Sequence, residues 1–159
     1  MNVSSHVERG LAFAQYHTYD WGPADAFPTG DPRLDKDPFF RDHMTGAVEK
    51  ELSSRGLEWA TSGTPDLLVH YHANITDRID INRVDRQRGY CTADGCPDVV
   101  NHEAGTFVID VVDGRTNRLI WRGWAQSSVA DILKNRDRVA RRIDDAVTRM
   151  FARFPMPLS

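Results

Sequence analysis

The stretch from Gly105 to Gln126 constrains this chain more than any other, because two strand patterns meet there across a turn. Phe107, Ile109 and Val111 alternate with Thr106, Val108, Asp110 and Val112. Apolar groups of both parities predict a central strand. Asp113-Gly114-Arg115-Thr116-Asn117 supplies the turn. Asp and Asn side chains bond nearby backbone there, and Gly takes a positive φ without a Cβ clash. Beyond the turn, Leu119, Trp121, Gly123 and Ala125 share one face, and Ile120, Arg122 and Trp124 the other. Trp and Ile suit a pleated, half-buried surface. A long central hairpin must be covered on at least one face, so its flanks decide the fold class.

Residues 12–21, AFAQYHTYDW, predict a first strand, with Phe13, Tyr19 and Trp21 of one parity. Residues 22–36 are rich in Pro, Gly and Asp and predict a loop. Asp37-Pro38 opens a helix: Asp caps, and Pro suits the first helical position. Phe40, Met44, Ala47, Val48 and Leu52 recur at helical spacing, and Gly56 is a natural C-cap. After a turn at Thr61 to Pro65, residues 66–81 predict a long strand. Leu67, Val69, Tyr71, Ala73 and Ile75 lie on one face; Leu68, His70, His72 and Asn74 lie on the other. Residues 82–104 form a long polar excursion that carries both cysteines. Arg136 to Phe154 is the last helix, striped by Val139, Ile143, Ala146, Val147, Met150 and Phe151 and ended by Pro155. The order is β-α-β-β-β-α. It predicts one α+β domain over residues 1–159, with its core in 12–155. The architecture expected is a two-layer sandwich: a mixed or mainly antiparallel four-stranded sheet with both helices on one face. The first strand and the 66–81 strand flank a helix, so a right-handed crossover makes them parallel.

At 159 residues the chain can bury a sizeable core. A net charge of −3 argues against bulk binding of nucleic acid, and no nucleic-acid partner is expected. No apolar run reaches the roughly 20 residues of a membrane span. The opening Met1-Asn2-Val3-Ser4-Ser5-His6 lacks the basic and apolar segments of a signal peptide. A cytosolic start and a start behind a removed leader both fit those residues.

His70 and His72 sit two apart on a strand and point the same way, so they could give two imidazoles to one metal. His17 or His102 could add a third. No Asp/Glu-His cluster at a recognised zinc spacing accompanies them, so a polar outer sheet face is the better reading and no metal or cofactor is expected. Cys91 and Cys96 enclose Thr92-Ala93-Asp94-Gly95. They could close a small disulfide in an oxidising compartment, or remain thiols in a reducing one. Arg78, Arg83, Arg86 and Arg88 form a basic run near Tyr90, but Asp77, Asp80 and Asp85 interleave and compensate it. Ser127-Ser128 has no nucleophile-elbow setting. Trp21, Trp121 and Trp124 could build a ligand platform, although core roles suit at least two of them. No catalytic set emerges.

Four motifs, one of them a two-part hairpin, carry a family resemblance. Tyr16-His17-Thr18-Tyr19-Asp20-Trp21 resembles a "Y-x-T-Y-x-W" opening, and Pro65 to His72 a "P-D-L-L-V-x-Y-H" strand. Gly105 to Asp110 and Asp113 to Gly123 resemble "G-T-x-x-I-D" and "D-x-x-T-x-x-L-x-W-x-G", and Asp144 to Pro155 a closing helix with Phe-Pro. In this order they resemble the bacterial family called domain of unknown function 4136, across nearly the whole chain. The resemblance implies an exported envelope lipoprotein with a lipid-bearing Cys ahead of the first strand. This chain has no Cys before Cys91, so lipidation would need one upstream. The resemblance brings no catalytic residues. It implies a periplasmic or outer-membrane home, and therefore a Cys91–Cys96 disulfide. The function expected is a non-enzymatic domain that binds or stabilises another envelope component. Two alternatives stand: a metal-dependent or small-molecule enzyme using His70 and His72, and a small-ligand binding domain using the face without helices.

Overall fold

The computed structural model describes residues 1–22, 37–78, 102–128 and 135–158. The Cys91–Cys96 pair and the arginines at 83, 86 and 88 fall outside them, as does most of the loop expected at 22–36 and of the 82–104 excursion. In chain order the elements are β1 (Asn2–Val7), a 3-10 turn (Phe13–Gln15), β2 (Thr18–Trp21), α1 (Pro38–Ser54), β3 (Glu58–Trp59), β4 (Leu67–Arg78), β5 (His102–Asp113), β6 (Leu119–Ser128) and α2 (Arg136–Phe151).

The central hairpin forms where its pattern predicts, but Gly114 does not take the positive φ expected of it; a Cβ there would instead lie 2.1 Å from Pro65 O. β5 and β6 pair antiparallel, Phe107 opposite Ala125 and Ile109 opposite Gly123. At its turn, Asp113 Oδ1 accepts from the N–H groups of Arg115 (2.8 Å) and Thr116 (3.0 Å), and Asn117 takes a positive φ of 59°. A bulge interrupts the register beside it: Val111 stands opposite Trp121 but Val112 opposite Leu119. Ile120 is the extra residue, and it is buried.

α1 begins and ends on the residues its sequence marks. The Asp37 carboxylate caps Phe39 N–H at 3.0 Å, and Pro38 holds the first helical position. At the other end Gly56, with φ 84°, donates to Ser53 O while Leu57 N–H reaches back to Leu52 O. That paired closure needs a left-handed residue between the helix and Leu57, which glycine adopts without a steric penalty.

The sheet has six strands, in the order β1-β6-β5-β4-β2-β3, where four were expected. β2 and β4 are parallel, as the intervening helix requires. The two additional strands occupy the edges. β3 is only two residues long, too short to show a period. β1 precedes the residues expected to begin the core, and its polar Ser4-Ser5-His6 hides it from a hydrophobicity pattern. The first expected strand shrinks to Thr18–Trp21, because Phe13–Gln15 coils into a 3-10 turn whose Tyr16 N–H bonds Phe13 O.

Both helices cover the same sheet face, as expected. Phe40 of α1 stacks on Phe107 of β5, with ring centroids 6.1 Å apart, and Phe151 of α2 lies 5.3 Å from Trp121 of β6. Met44, Val48, Leu52, Ile143, Ala146, Val147 and Met150 meet Leu67, Val69, Ile109 and Val111 in one core. Arg55 ties the helix ends together, donating to Phe151 O at 2.8 Å and lying over the Phe151 ring.

Candidate functional site

The side chains singled out for chemistry lie on the opposite sheet face, over which no described helix packs. The register aligns them in a row. His70 of β4 stands opposite Asp110 of β5, Asp110 opposite Arg122 of β6, and Arg122 opposite His6 of β1. The next row aligns His72, Val108, Trp124 and Ser4. Strand alternation puts these groups on one surface because the opposite parity is committed to the core.

Asp110 is the hub. It is 7% exposed, which a carboxylate tolerates only when paired. Arg122 supplies the pair as a fork, Nε at 2.5 Å from Oδ1 and Nη2 at 3.0 Å from Oδ2. The hydrogen bond from Arg122 therefore holds its guanidinium in the charged form. His72 Nε2 lies 3.7 Å from the same carboxylate. His70 is placed differently. Its ring lies against Gly22, where a Cβ would come within 2.1 Å of Cε1. Burial holds the His70 imidazole below its ordinary pKa, Asp110 pulling it up and His72 pushing it down. His70 is thus biased to the neutral ring while Asp110 and Arg122 carry opposite charges beside it.

The structure joins His70 and His72 to Asp110, a connection no sequence spacing announced. The signal was the shared parity of Asp110 and Arg122 across the hairpin turn. His17 is separate: its N–H is taken by Asp66 at 2.8 Å. His102 opens β5 opposite Arg78, eight residues from Asp110 along the strand. Among the described residues, no group of three or more His, Cys, Asp or Glu is arranged to hold a metal ion. Of the tryptophans, Trp121 is fully buried, Trp21 packs partly against the core and donates to Glu49 at 2.8 Å, and Trp124 stays on the outer face.

Many of the motif residues turn out to build the fold. Tyr16 OH donates to Asp113 at 2.9 Å. Burial first, and then that bond, push the Tyr16 hydroxyl up to about 12. The Thr116 N–H holds the Asp113 carboxyl below its usual range, helped by Arg115 N–H and Tyr16. Asp66 accepts from His17 and Thr18 N–H, and its own N–H bonds Thr18 Oγ1 at 3.0 Å. Gly114 N–H reaches Asp66 O at 2.8 Å. The first motif, the strand motif and the hairpin turn therefore lock into one corner. Gly123 serves the core in the same way, since the Trp121 ring occupies the place of its missing Cβ.

A family model described as "Domain of unknown function (DUF4136)" matches residues 3–156. No curated protein matches the chain. Among solved structures, it is similar to a PDZ domain protein from Parabacteroides distasonis, with a TM-score of 0.63 at 16% identity. That match covers 99% of this chain and 36% of the other, so the chain spans about a third of that protein's length. PelC from Paraburkholderia phytofirmans, crystallised as a dodecamer, has a TM-score of 0.51 at 7% identity and matches over 96% of this chain and 97% of its own. A DUF4136 family protein from Bacteroides thetaiotaomicron has a TM-score of 0.50 at 9% identity, over 93% and 94% of the two chains. At these identities the likenesses establish the fold.

Proposed function

This chain belongs to the DUF4136 family of domains of unknown function, and on that footing we propose that it is a non-enzymatic cell-envelope domain that binds or stabilises another envelope component. The observation that carries the reading is the state of the outer sheet face. Its acid, Asp110, is closed in a two-pronged pair with Arg122, and its inner histidine rests on Gly22. Groups fixed in that way make a rigid, charge-patterned surface suited to recognition. A general base or a nucleophile instead needs a free acceptor aimed at a substrate.

The site is periplasmic or on the outer membrane in this reading, reached by a lipid on a Cys upstream of Met1. The Cys91–Cys96 pair is then oxidised. Support comes from the ordered family motifs, not from the fold neighbours. PelC is a dodecamer, but at 7% identity it lends the fold alone, so any assembly of this chain must come from its own surface.

The test is expression of the whole gene, with its upstream frame, followed by cell fractionation and intact mass. The expected result is an envelope-bound product carrying a lipid mass. Quantitative recovery from the cytosol with both cysteines reduced would overturn the location. Elemental analysis tests the other half. One zinc or iron per chain, lost in the His70→Ala/His72→Ala double variant, would replace the binding role with a metal enzyme.

A further inference from the structure

β1 forms one edge of the sheet, and the orientation of its backbone can be read from one bond. Glu8 N–H donates to Ile120 O at 2.9 Å, continuing the register that pairs His6 with Arg122, Ser4 with Trp124 and Asn2 with Gln126. In an antiparallel ladder the N–H and C=O of one residue point the same way, and neighbouring residues alternate. Asn2, Ser4, His6 and Glu8 therefore bond inward to β6. Val3, Ser5 and Val7 turn their N–H and C=O away from the sheet.

Among the described residues this edge lacks several of the usual protections. The strand Asn2–Val7 contains no Pro and no Lys, and its pairing with β6 has no bulge. Val7 is 39% exposed, one of three exposed large hydrophobics among the described residues. The strand is also self-complementary. Laid antiparallel on itself about Ser5, it brings Val3 opposite Val7 of the partner subunit and Ser5 opposite Ser5 of the partner subunit. Each copy then offers three donors and three acceptors, enough for six backbone hydrogen bonds. A centre on Ser4 or His6 would pair only two of the three outward residues of each copy within Asn2–Val7, giving four such bonds.

We propose that the β1 edge is a docking surface for a second copy of this chain, the two β1 strands pairing antiparallel about Ser5. The two sheets then run on as one across a two-fold axis. The exposed Val7 is covered by the opposing Val3 on the helix-bearing side. This contact is independent of the envelope reading and of the outer-face row, which stay open on both copies.

The experiment is sedimentation velocity of the whole chain over a wide concentration range, with variants chosen by backbone direction. Ser5→Pro removes an N–H that points outward and is unused among the described residues, so the subunit should keep its melting temperature. It deletes two of the six intermolecular bonds, so the dimer Kd should rise by about tenfold or more. Val7→Lys should do the same through charge. Ser5→Cys should cross-link to itself under oxidation, since paired residues of this type have Cα atoms about 5.5 Å apart, within disulfide range. Peptide mapping must place that bridge between two position-5 residues. The proposal is overturned if the parent chain stays monomeric throughout. It is equally overturned if Ser5→Pro and Val7→Lys leave the dimer intact, or if the edge captures an extended peptide of another protein and never a second copy.

Discussion

Gly123→Ala tests whether the hairpin motif is a packing device. An ideal Cβ at Gly123 would lie 2.5 Å from Trp121 Cη2, 2.9 Å from Cζ2 and 3.3 Å from Met150 Cβ. The indole cannot swing clear. It is fully buried, lies 5.3 Å from the Phe151 ring and 5.0 Å from the Phe154 ring, and its Nε1 donates to Arg153 O at 3.3 Å. Forcing a methyl into such a core costs about 1–3 kcal/mol. Replacing glycine in a strand returns roughly 0.5–1 kcal/mol through the lower entropy of the unfolded chain. The net should be a destabilisation of about 1–2 kcal/mol. For a chain of 159 residues that lowers the melting temperature by roughly 2–8 °C. Urea unfolding gives the free energy, and a double-mutant cycle with Trp121→Leu gives the cause. Without the indole the added methyl should cost almost nothing, so the two changes should be strongly non-additive. A variant that melts at or above the parent, or that adds independently to Trp121→Leu, would refute the packing argument.

Val147 is 1% exposed on the inner face of α2, so Val147→Asp should abolish the cooperative transition in circular dichroism by burying an unpaired charge. Tyr16→Phe removes the 2.9 Å bond to Asp113 and should lower the urea-unfolding free energy by about 1.5–3 kcal/mol, the range for a bond to a charged partner. His70 has a folded pKa held below its ordinary 6.5 by burial, so the unfolded chain protonates first; its contribution is full above about pH 6.5 and is lost as pH falls through the folded value. Melting temperature should therefore fall with acidification in the parent and fall less in His70→Gln. Reduction of Cys91 and Cys96 in exported protein should change the melting temperature little, because a disulfide around four residues closes a short loop; alkylation mass spectrometry counts the thiols.

The fold was legible wherever a period or a cap had to be satisfied locally. Asp37, Pro38 and Gly56 bound α1 because helix ends leave backbone groups that only certain residues satisfy. The hairpin declared itself because Asp113 organises its own turn. Both edge strands were hidden for a physical reason. An edge strand is stabilised by a ladder to one neighbour, so its side chains need no strong alternation, and Ser4-Ser5-His6 shows none. The Phe13–Gln15 turn was hidden as well, since a single 3-10 turn buries one residue and leaves the parity of its neighbours looking like a strand. On the outer face, the pairing of His70 and His72 was legible from spacing alone. Their link to Asp110 and Arg122 was not, because a cross-strand register depends on a turn length and a bulge that separate the partners in sequence.

The same geometry explains why family motifs say little about function here. Tyr16, Asp66, Asp113 and Gly114 meet at one corner although they come from three separated segments. Gly123 yields its space to Trp121. A sequence that keeps these residues keeps the corner and the core, and with them the relative placement of β2, β4 and the hairpin. The surfaces that would meet a partner lie elsewhere. The outer-face row is built from residues at alternate positions inside those same strands, and the β1 edge from a strand whose outward groups are backbone. Backbone hydrogen bonds at an edge place almost no demand on side-chain identity, only against Pro and clustered charge. A binding surface of that kind can therefore persist while its sequence drifts. In this chain the motif residues mark the frame, and function has to be sought in strand direction, register and exposure.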